Sequence, residues 1–285
     1  MTRAYSRVVQ FSKGHGTQND FVLLPDPDGR LELTPARVAA LCDRRRGLGA
    51  DGLLRVVRWA ALGAGPAPHP GVEWFMDYRN ADGSVAEMCG NGVRVYARYL
   101  AERGWLDGRE LALGTRAGIR GVCLDGADIS VDMGPATIGP SSTARIGDHT
   151  FAGISVDVGN PHLACVTDAE IDELDLTRAP GHDPDLFPEG VNVEFVSPIG
   201  PDGAAEVRMR VHERGVGETR SCGTGTVAAV VAALHAAGRD TGTVSVHTPG
   251  GRLRVTVAPD TTVLCGPAVL VASGELCADW WESLG

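Results

Sequence analysis

Strict alternation over residues 205–212 (AEVRMRVH) sets Val207, Met209 and Val211 on one face and Arg208, Arg210 and His212 on the other, the period of a half-buried strand. Residues 226–238 (TVAAVVAALHAAG) are apolar nearly all round and end at Gly238, which predicts a helix enclosed by other elements. A second helix is predicted over residues 91–103, where Val95, Tyr96, Tyr99 and Leu100 recur at helical spacing and Gly104 terminates the run. A third is fully punctuated: Thr34 as N-cap, Pro35 at the first helical position, Val38, Leu41 and Cys42 on one face, Arg44 to Arg46 in the last turn and Gly47 just past it. This helix reads as structural. Strand-type runs fill most of the rest: residues 5–12, 21–24, 53–59, 72–78, 118–124 and 128–133, then 243–248, 252–258 and 269–273. Residues 13–20 (KGHGTQND) form a Gly-rich bend, and residues 60–71 (AALGAGPAPHPG) have the composition of an exposed loop. Residues 133–151 are rich in Gly, Pro, Ser and Thr and are the best candidate for a domain connection.

Each half therefore reads as several short strands with one main helix, and one local signature occurs twice. Cys89-Gly90-Asn91-Gly92 opens the helix of the first half, and Cys222-Gly223-Thr224-Gly225 opens that of the second, 133 residues later in a chain of 285. The expected class is α/β (α+β): a duplicated unit with pseudo-two-fold symmetry, which would bring the two helix N-termini face to face across a cleft. The expected domains are residues 1–133 and 134–267, with a C-terminal strand at about 268–285 returning to the first.

Composition narrows the chemistry. Apolar residues at 43%, charged at 22% and no apolar run long enough for a bilayer exclude a membrane helix. A net charge of −10 argues against a nucleic-acid binder and favours a small-molecule partner. The opening MTRAYSRVVQFS has no apolar h-region, so a cytoplasmic protein is expected. Seven cysteines without a CxxC or zinc spacing indicate neither a disulfide framework nor a metal. A homodimer is compatible with the chain, although no pattern calls for one. Lysine occurs once (Lys13) and asparagine five times (Asn19, Asn80, Asn91, Asn160, Asn192), so a bias against both leaves the survivors as functional candidates. For any single Asn, turn or cap chemistry is the commoner explanation.

A cysteine just before a helix sits among unpaired N–H groups at the positive end of the dipole, which favours its thiolate. The glycines after it let a substrate approach the backbone and leave N–H groups open to a carboxylate. Two such thiols, one ionised and one protonated, could remove a proton from one side of a carbon and return one to the other. Most isolated cysteines are small buried hydrophobes, and that reading is kept for Cys42, Cys123, Cys165, Cys265 and Cys277. The repetition sets Cys89 and Cys222 apart. A redox pair or dithiol metal site is the competing idea, and the lack of Cys/His ligands nearby counts against the metal. A pyridoxal cofactor needs a Schiff-base lysine, and Lys13 lies in the Gly-rich bend, so no cofactor is expected. Arg214, close in sequence to Cys222, is a bidentate partner for a substrate carboxylate; Glu213 could accept an ammonium or tune the thiol, and His162 could raise a thiolate's population. Solvated loop charge and a satisfied histidine are the plainer alternatives for these three.

FSKGHGTQNDF, NADGSVAEMCGNG, GNPH, GVNVEF and ERGVGETRSCGTG, in this order over residues 11–225, together resemble the diaminopimelate epimerase family of bacterial lysine and peptidoglycan biosynthesis. The resemblance implies two similar domains, each a mainly antiparallel barrel-like sheet around a central helix, with the active site in the cleft between them. It also implies cofactor-independent interconversion of LL- and meso-diaminopimelate. Cys89 and Cys222 then correspond to the catalytic thiols, Cys222 acting on the L-configured centre. The N–H groups of Gly90, Asn91, Gly223 and Thr224 would hold the reacting carboxylate. Asn19, Asn80, Asn160, Asn192, Glu213 and Arg214 would bind the amino and carboxylate groups, and His162 and Glu213 would adjust the thiols. One position departs: Gly52 stands where some members carry a binding Gln. A proline or hydroxyproline racemase-like enzyme also uses two cysteines, but its substrate has no second charged end and would leave the Asn and Arg214 set surplus. Isomerases of phenazine-type pathways share the architecture without this thiol pair. A non-catalytic binder of dibasic or diacidic amino acids could use the same polar groups with both thiols dispensable.

Overall fold

The computed structural model describes residues 8–200 and 205–284. Residues 5–7, where the first predicted strand begins, lie outside the described residues, as does residue 285 of the predicted returning segment. The chain divides into two compact units, one of residues up to 16, 20–129 and 268 onward, the other of residues 17–19 and 130–267.

The first unit begins with β1 (Gln10–Gly16) and β2 (Asn19–Pro25), followed by α1 (Pro35–Cys42), β3 (Gly52–Arg58), β4 (Trp74–Asn80), α2 (Gly90–Glu102), β5 (Glu110–Thr115) and β6 (Gly118–Asp125). The Gly-rich bend is narrower than its composition suggests. Lys13 to Gly16 are in β1, and the turn is made by Thr17 and Gln18 at φ of 48° and 64°, left-handed positions held without glycine. In α1, Thr34 caps Arg37 N–H and Val38, Leu41 and Cys42 are buried, but the helix stops at Cys42, short of the predicted arginines. Asp43 accepts from the N–H groups of Arg45 and Arg46, which closes a turn in place of a further helical turn. α2 lies against β1, β3, β4 and β6, with Tyr96 and Leu100 wholly buried. β3 and β4 pair antiparallel, setting Arg55 opposite Asp77. Arg55 donates to Asp26, and Asp77, wholly buried, accepts from Arg79 and Arg116. Burial alone would push the Asp77 carboxyl up, but these guanidinium groups hold it below its usual value.

The second unit carries β7 (Asp128–Gly134), most of which belongs to it, then β8 (Thr137–Ile146), β9 (His149–Asp157), β10 (Pro161–Val166), β11 (Asn192–Val196), β12 (Glu206–Glu213), β13 (Gly217–Thr219), α3 (Gly223–Ala236), β14 (Gly242–Thr248), β15 (Gly251–Val257) and β16 (Thr262–Pro267). The Gly/Pro/Ser/Thr-rich stretch predicted as a connection is mostly strand: β8 pairs antiparallel with β9, shifting register between Ile138 and Ser141. β9–β10, β11–β12, β12–β13, β14–β15 and β15–β16 are antiparallel, while β10–β11 and β12–β14 are parallel. β12 alternates as predicted except at His212, which is buried although it lies on the polar face. α3 packs on β9 to β12 and β14 to β16, so Val227 to Leu234 are buried on every side. Up to Leu234 the helix has no solvent face, as its sequence required, while His235 and Ala236 in its last turn are exposed.

The chain ends in the first unit with β17 (Val269–Glu275), antiparallel to β1 and also packed on α2, and α4 (Ala278–Ser283). Trp281 of α4 joins Val22, Leu24, Val38, Leu41 and Leu53 in one apolar cluster.

Candidate active site

The second unit assembles most of the candidates on one sheet face. β10 and β11 run parallel with His162 opposite Asn192, and two residues along β11 the side chain of Glu194 returns to the same face. β11 and β12 are antiparallel with Glu194 opposite Val211, so Glu213, two residues on, shares that face. α3 covers it, and Cys222 is the N-cap of α3. Glu213 thus continues the buried row Val207, Met209, Val211 with a carboxyl group.

Contacts within this cluster are specific. The Cys222 Sγ accepts from Gly225 N–H at 3.4 Å and lies 3.5 Å from the Thr224 hydroxyl. The His162 Nδ1 shares a hydrogen bond of 2.7 Å with Glu194 Oε1, and its Nε2 lies 3.1 Å from Asn160 Oδ1. Both His162 and Glu194 are wholly buried. The Thr219 hydroxyl donates to Glu213 Oε1, and the Glu213 carboxyl group lies near enough to Cys222 to oppose its ionisation. Asn192 Oδ1 accepts Arg214 N–H at 2.9 Å, which fixes the turn after β12. The Arg214 side chain is exposed and rests on the Glu189 carbonyl at 3.3 Å. Thr17 and Ser221 share a hydroxyl hydrogen bond of 2.7 Å, tying the 17–19 turn, which carries Asn19, to the residue before Cys222.

These surroundings overturn one expectation. The helix N-terminus was expected to favour a Cys222 thiolate; instead burial, then the carboxyl groups of Glu213 and Glu194, push the thiol well above its ordinary value, and the Thr224 and Gly225 hydrogen bonds offset only part of this. Glu213 is itself pushed up, chiefly by burial. In this state Cys222 is a thiol beside a carboxyl group whose own pKa is raised.

The first unit repeats the cap. Cys89 is the N-cap of α2 in an extended conformation, and its Sγ accepts from Gly92 N–H at 3.4 Å, the same distance as at Cys222. Cys89 is half-buried. The Asn91 side chain points into the protein, where Oδ1 accepts from Arg94, so only its backbone N–H is a candidate for substrate. Asn80, at the end of β4, donates to the Ser84 hydroxyl at 2.9 Å. Gly52 pairs with Asn80 across the β3–β4 ladder. A Cβ at Gly52 would lie 2.7 Å from the Tyr78 ring and from the Arg79 carbonyl, so Tyr78 occupies the space a longer side chain would need.

The structure groups Asn160, His162, Asn192, Glu213, Arg214, Cys222, Gly223 and Thr224 in the second unit, with Asn19 in the same unit, and Asn80, Cys89, Gly90 and Asn91 in the first. Glu194 was absent from the predicted site although it sits at its centre. Its signal was available: it is the one charged residue in the otherwise uncharged, wholly buried strand Asn192–Val196. Among the described residues no group of three His, Cys, Asp or Glu side chains is arranged to hold a metal ion. Lys13 pairs with Asp20 at 2.5 Å and with the Gly49 carbonyl, a structural role for the single lysine.

The family model described as diaminopimelate epimerase matches residues 11–139 and 154–271. The chain belongs to the diaminopimelate epimerase family. Proteins of that name from Rhodococcus erythropolis (strain PR4 / NBRC 100887) and Mycolicibacterium paratuberculosis (strain ATCC BAA-968 / K-10) are 56% and 55% identical, covering 97% and 96% of this chain and 99% of each relative. Among solved structures, a phenazine biosynthesis protein of the PhzF family from Bacillus anthracis superposes with a TM-score of 0.68 at 15% identity, covering 95% of this chain and 99% of that one. A hydroxyproline epimerase from Agrobacterium vitis with bound trans-4-hydroxy-L-proline gives 0.66 at 16%, covering 98% of each. At such low identity these two establish a shared fold. A mixed α/β, sheet-dominated architecture is thus shared by this chain, the phenazine biosynthesis protein and the hydroxyproline epimerase.

Proposed function

We propose that this chain epimerises 2,6-diaminopimelate between its LL and meso forms without a cofactor, in lysine and peptidoglycan biosynthesis in the cytoplasm. The observation that carries the reading is the repeated thiol cap: two cysteines in the same conformation, each at the mouth of a glycine-opened helix and each accepting the N–H three residues on. A proline-type racemase would need the thiols but not the Asn and Arg214 set.

In the proposed mechanism the substrate carboxylate binds the backbone N–H groups opening α2 and α3, where fixed donors stabilise charge developing on the carboxylate as the α-carbon loses its proton. Glu213 accepts the Cys222 thiol proton, and the resulting thiolate takes the α-proton of the L-configured centre. The carbanion is protonated on its other face by the Cys89 thiol, leaving Cys89 as thiolate and Cys222 as thiol. Proton exchange with solvent resets the pair. Asn19, Asn80, Asn160, Asn192 and Arg214 bind the polar groups of the two ends, and His162 adjusts the thiols.

Proton NMR of LL-diaminopimelate in D2O with reduced protein and no added cofactor tests the reading, with proline as control. Loss of the α-proton signal with appearance of the meso isomer is expected. Exchange on proline alone moves the chain to the racemase reading, and exchange on neither substrate rejects both.

A further inference from the structure

The two thiol caps share a backbone geometry but not their surroundings. At Gly92, a Cβ would meet Leu54, Phe21 and Cys89 itself at 3.4–3.5 Å. At Gly225, it would lie 2.6 Å from Glu194 Oε1. The carboxyl group of Glu194 is therefore seated on the first turn of α3, against the residue whose N–H donates to Cys222. There it competes with the sulfur for the positive end of the helix. Its Oε1 is held by His162, and its Oε2 is buried without a hydrogen-bond partner. A wholly buried carboxyl group with half its acceptor capacity unused costs free energy, and the strand gains nothing from it that Val or Ile would not supply.

We propose that Glu194 is a positioning residue for the reaction: seated between His162 and the first turn of α3, it holds Cys222 as the thiol in the resting protein until Glu213 takes its proton. This rests on the functional reading above. The groups on the same sheet face as Glu194 are His162 on β10, Glu213 on β12 and Cys222 at the start of α3, whereas Cys165 on β10 lies on the opposite face with Leu163 and Phe195. The two acids among these neighbours agree in direction: Glu194 contributes to raising both Cys222 and Glu213. His162 opposes it at Glu213, but more weakly. Neutralising Glu194 therefore eases ionisation of Cys222.

The test is site-resolved alkylation of the reduced full chain with iodoacetamide across pH 6–10, read by peptide mass spectrometry for Cys222 and Cys89, beside the pH profile of α-proton exchange. In the wild type, Cys222 is expected to alkylate with a midpoint above the ordinary thiol value of about 8.5. Glu194→Gln should lower that midpoint by about one pH unit, a tenfold gain in thiolate at fixed pH, leave Cys89 in place and shift the acid limb of the exchange profile the same way. Glu194→Asp, which retracts the carboxylate, should fall between the two. A Cys222 midpoint at or below the ordinary thiol value in the wild type, or no fall in whichever variant folds, overturns the proposal. Failure of wild-type exchange on diaminopimelate would instead remove the functional reading, while the alkylation midpoints still decide whether Glu194 governs Cys222.

Discussion

At Asp20, burial and pairing pull in opposite directions. Burial raises its pKa, but hydrogen bonds and charge from Arg44 and Lys13 hold it at about 2. A folded value below the unfolded one of about 3.9 stabilises the protein fully above that pH and loses the contribution as pH falls toward 2. Asp20→Asn is expected to lower stability by about 2 kcal/mol at pH 7, with the gap to wild type narrowing between pH 5 and pH 3 in urea titrations. At the thiols, Cys89→Ala or Cys222→Ala should each reduce epimerisation by about 10²- to 10⁴-fold, with substrate binding by calorimetry little changed. Equal loss of binding would assign the cysteines to recognition. The residue scale is also where the sequence misled: helix position alone argues for a low Cys222 pKa, whereas burial beside two carboxyl groups reverses it. That reversal depends on Glu194 and Glu213 meeting from β11 and β12, a pairing register that a single chain reading does not contain.

Among elements, the three main helices were legible because each carries its own boundaries: Thr34 and Pro35 for α1, the cysteine caps and Gly104 or Gly238 for α2 and α3. Legibility failed where local composition and tertiary pairing disagree. Residues 137–146 have turn composition but are held as β8 by β9, and Arg44 leaves the predicted helix because Asp20 and Asp51 hold it. The glycines of the two caps looked equivalent, yet their surroundings predict different tolerance. Gly225→Ala drives a methyl group into Glu194 Oε1 and should cost about 1–3 kcal/mol, whereas Gly92→Ala meets ordinary contact distances and should cost less than about 1 kcal/mol. Thermal unfolding of the two variants gives the comparison, and equal losses would mean that Glu194 yields freely.

Over the whole molecule, each half contributes one thiol cap, a division visible in the spacing of the two C-G-x-G motifs. No described helix is long and apolar enough to cross a membrane, and the seven cysteines form no disulfide. If both caps serve one carbon, oxidation should join them: peroxide is expected to inactivate the protein with a Cys89–Cys222 cross-linked peptide, and reductant to restore it. Full activity after peroxide would argue against two thiols at one centre. The most direct measurement is the isotopic content of the first turnovers of LL-diaminopimelate in D2O, with substrate and product separated and analysed by mass spectrometry. Two opposed bases predict deuterium at the reacting carbon of the meso product and protium in the recovered LL substrate. Protium carried into the product would mean that one group both removes and returns the proton, and the two-thiol mechanism would be wrong.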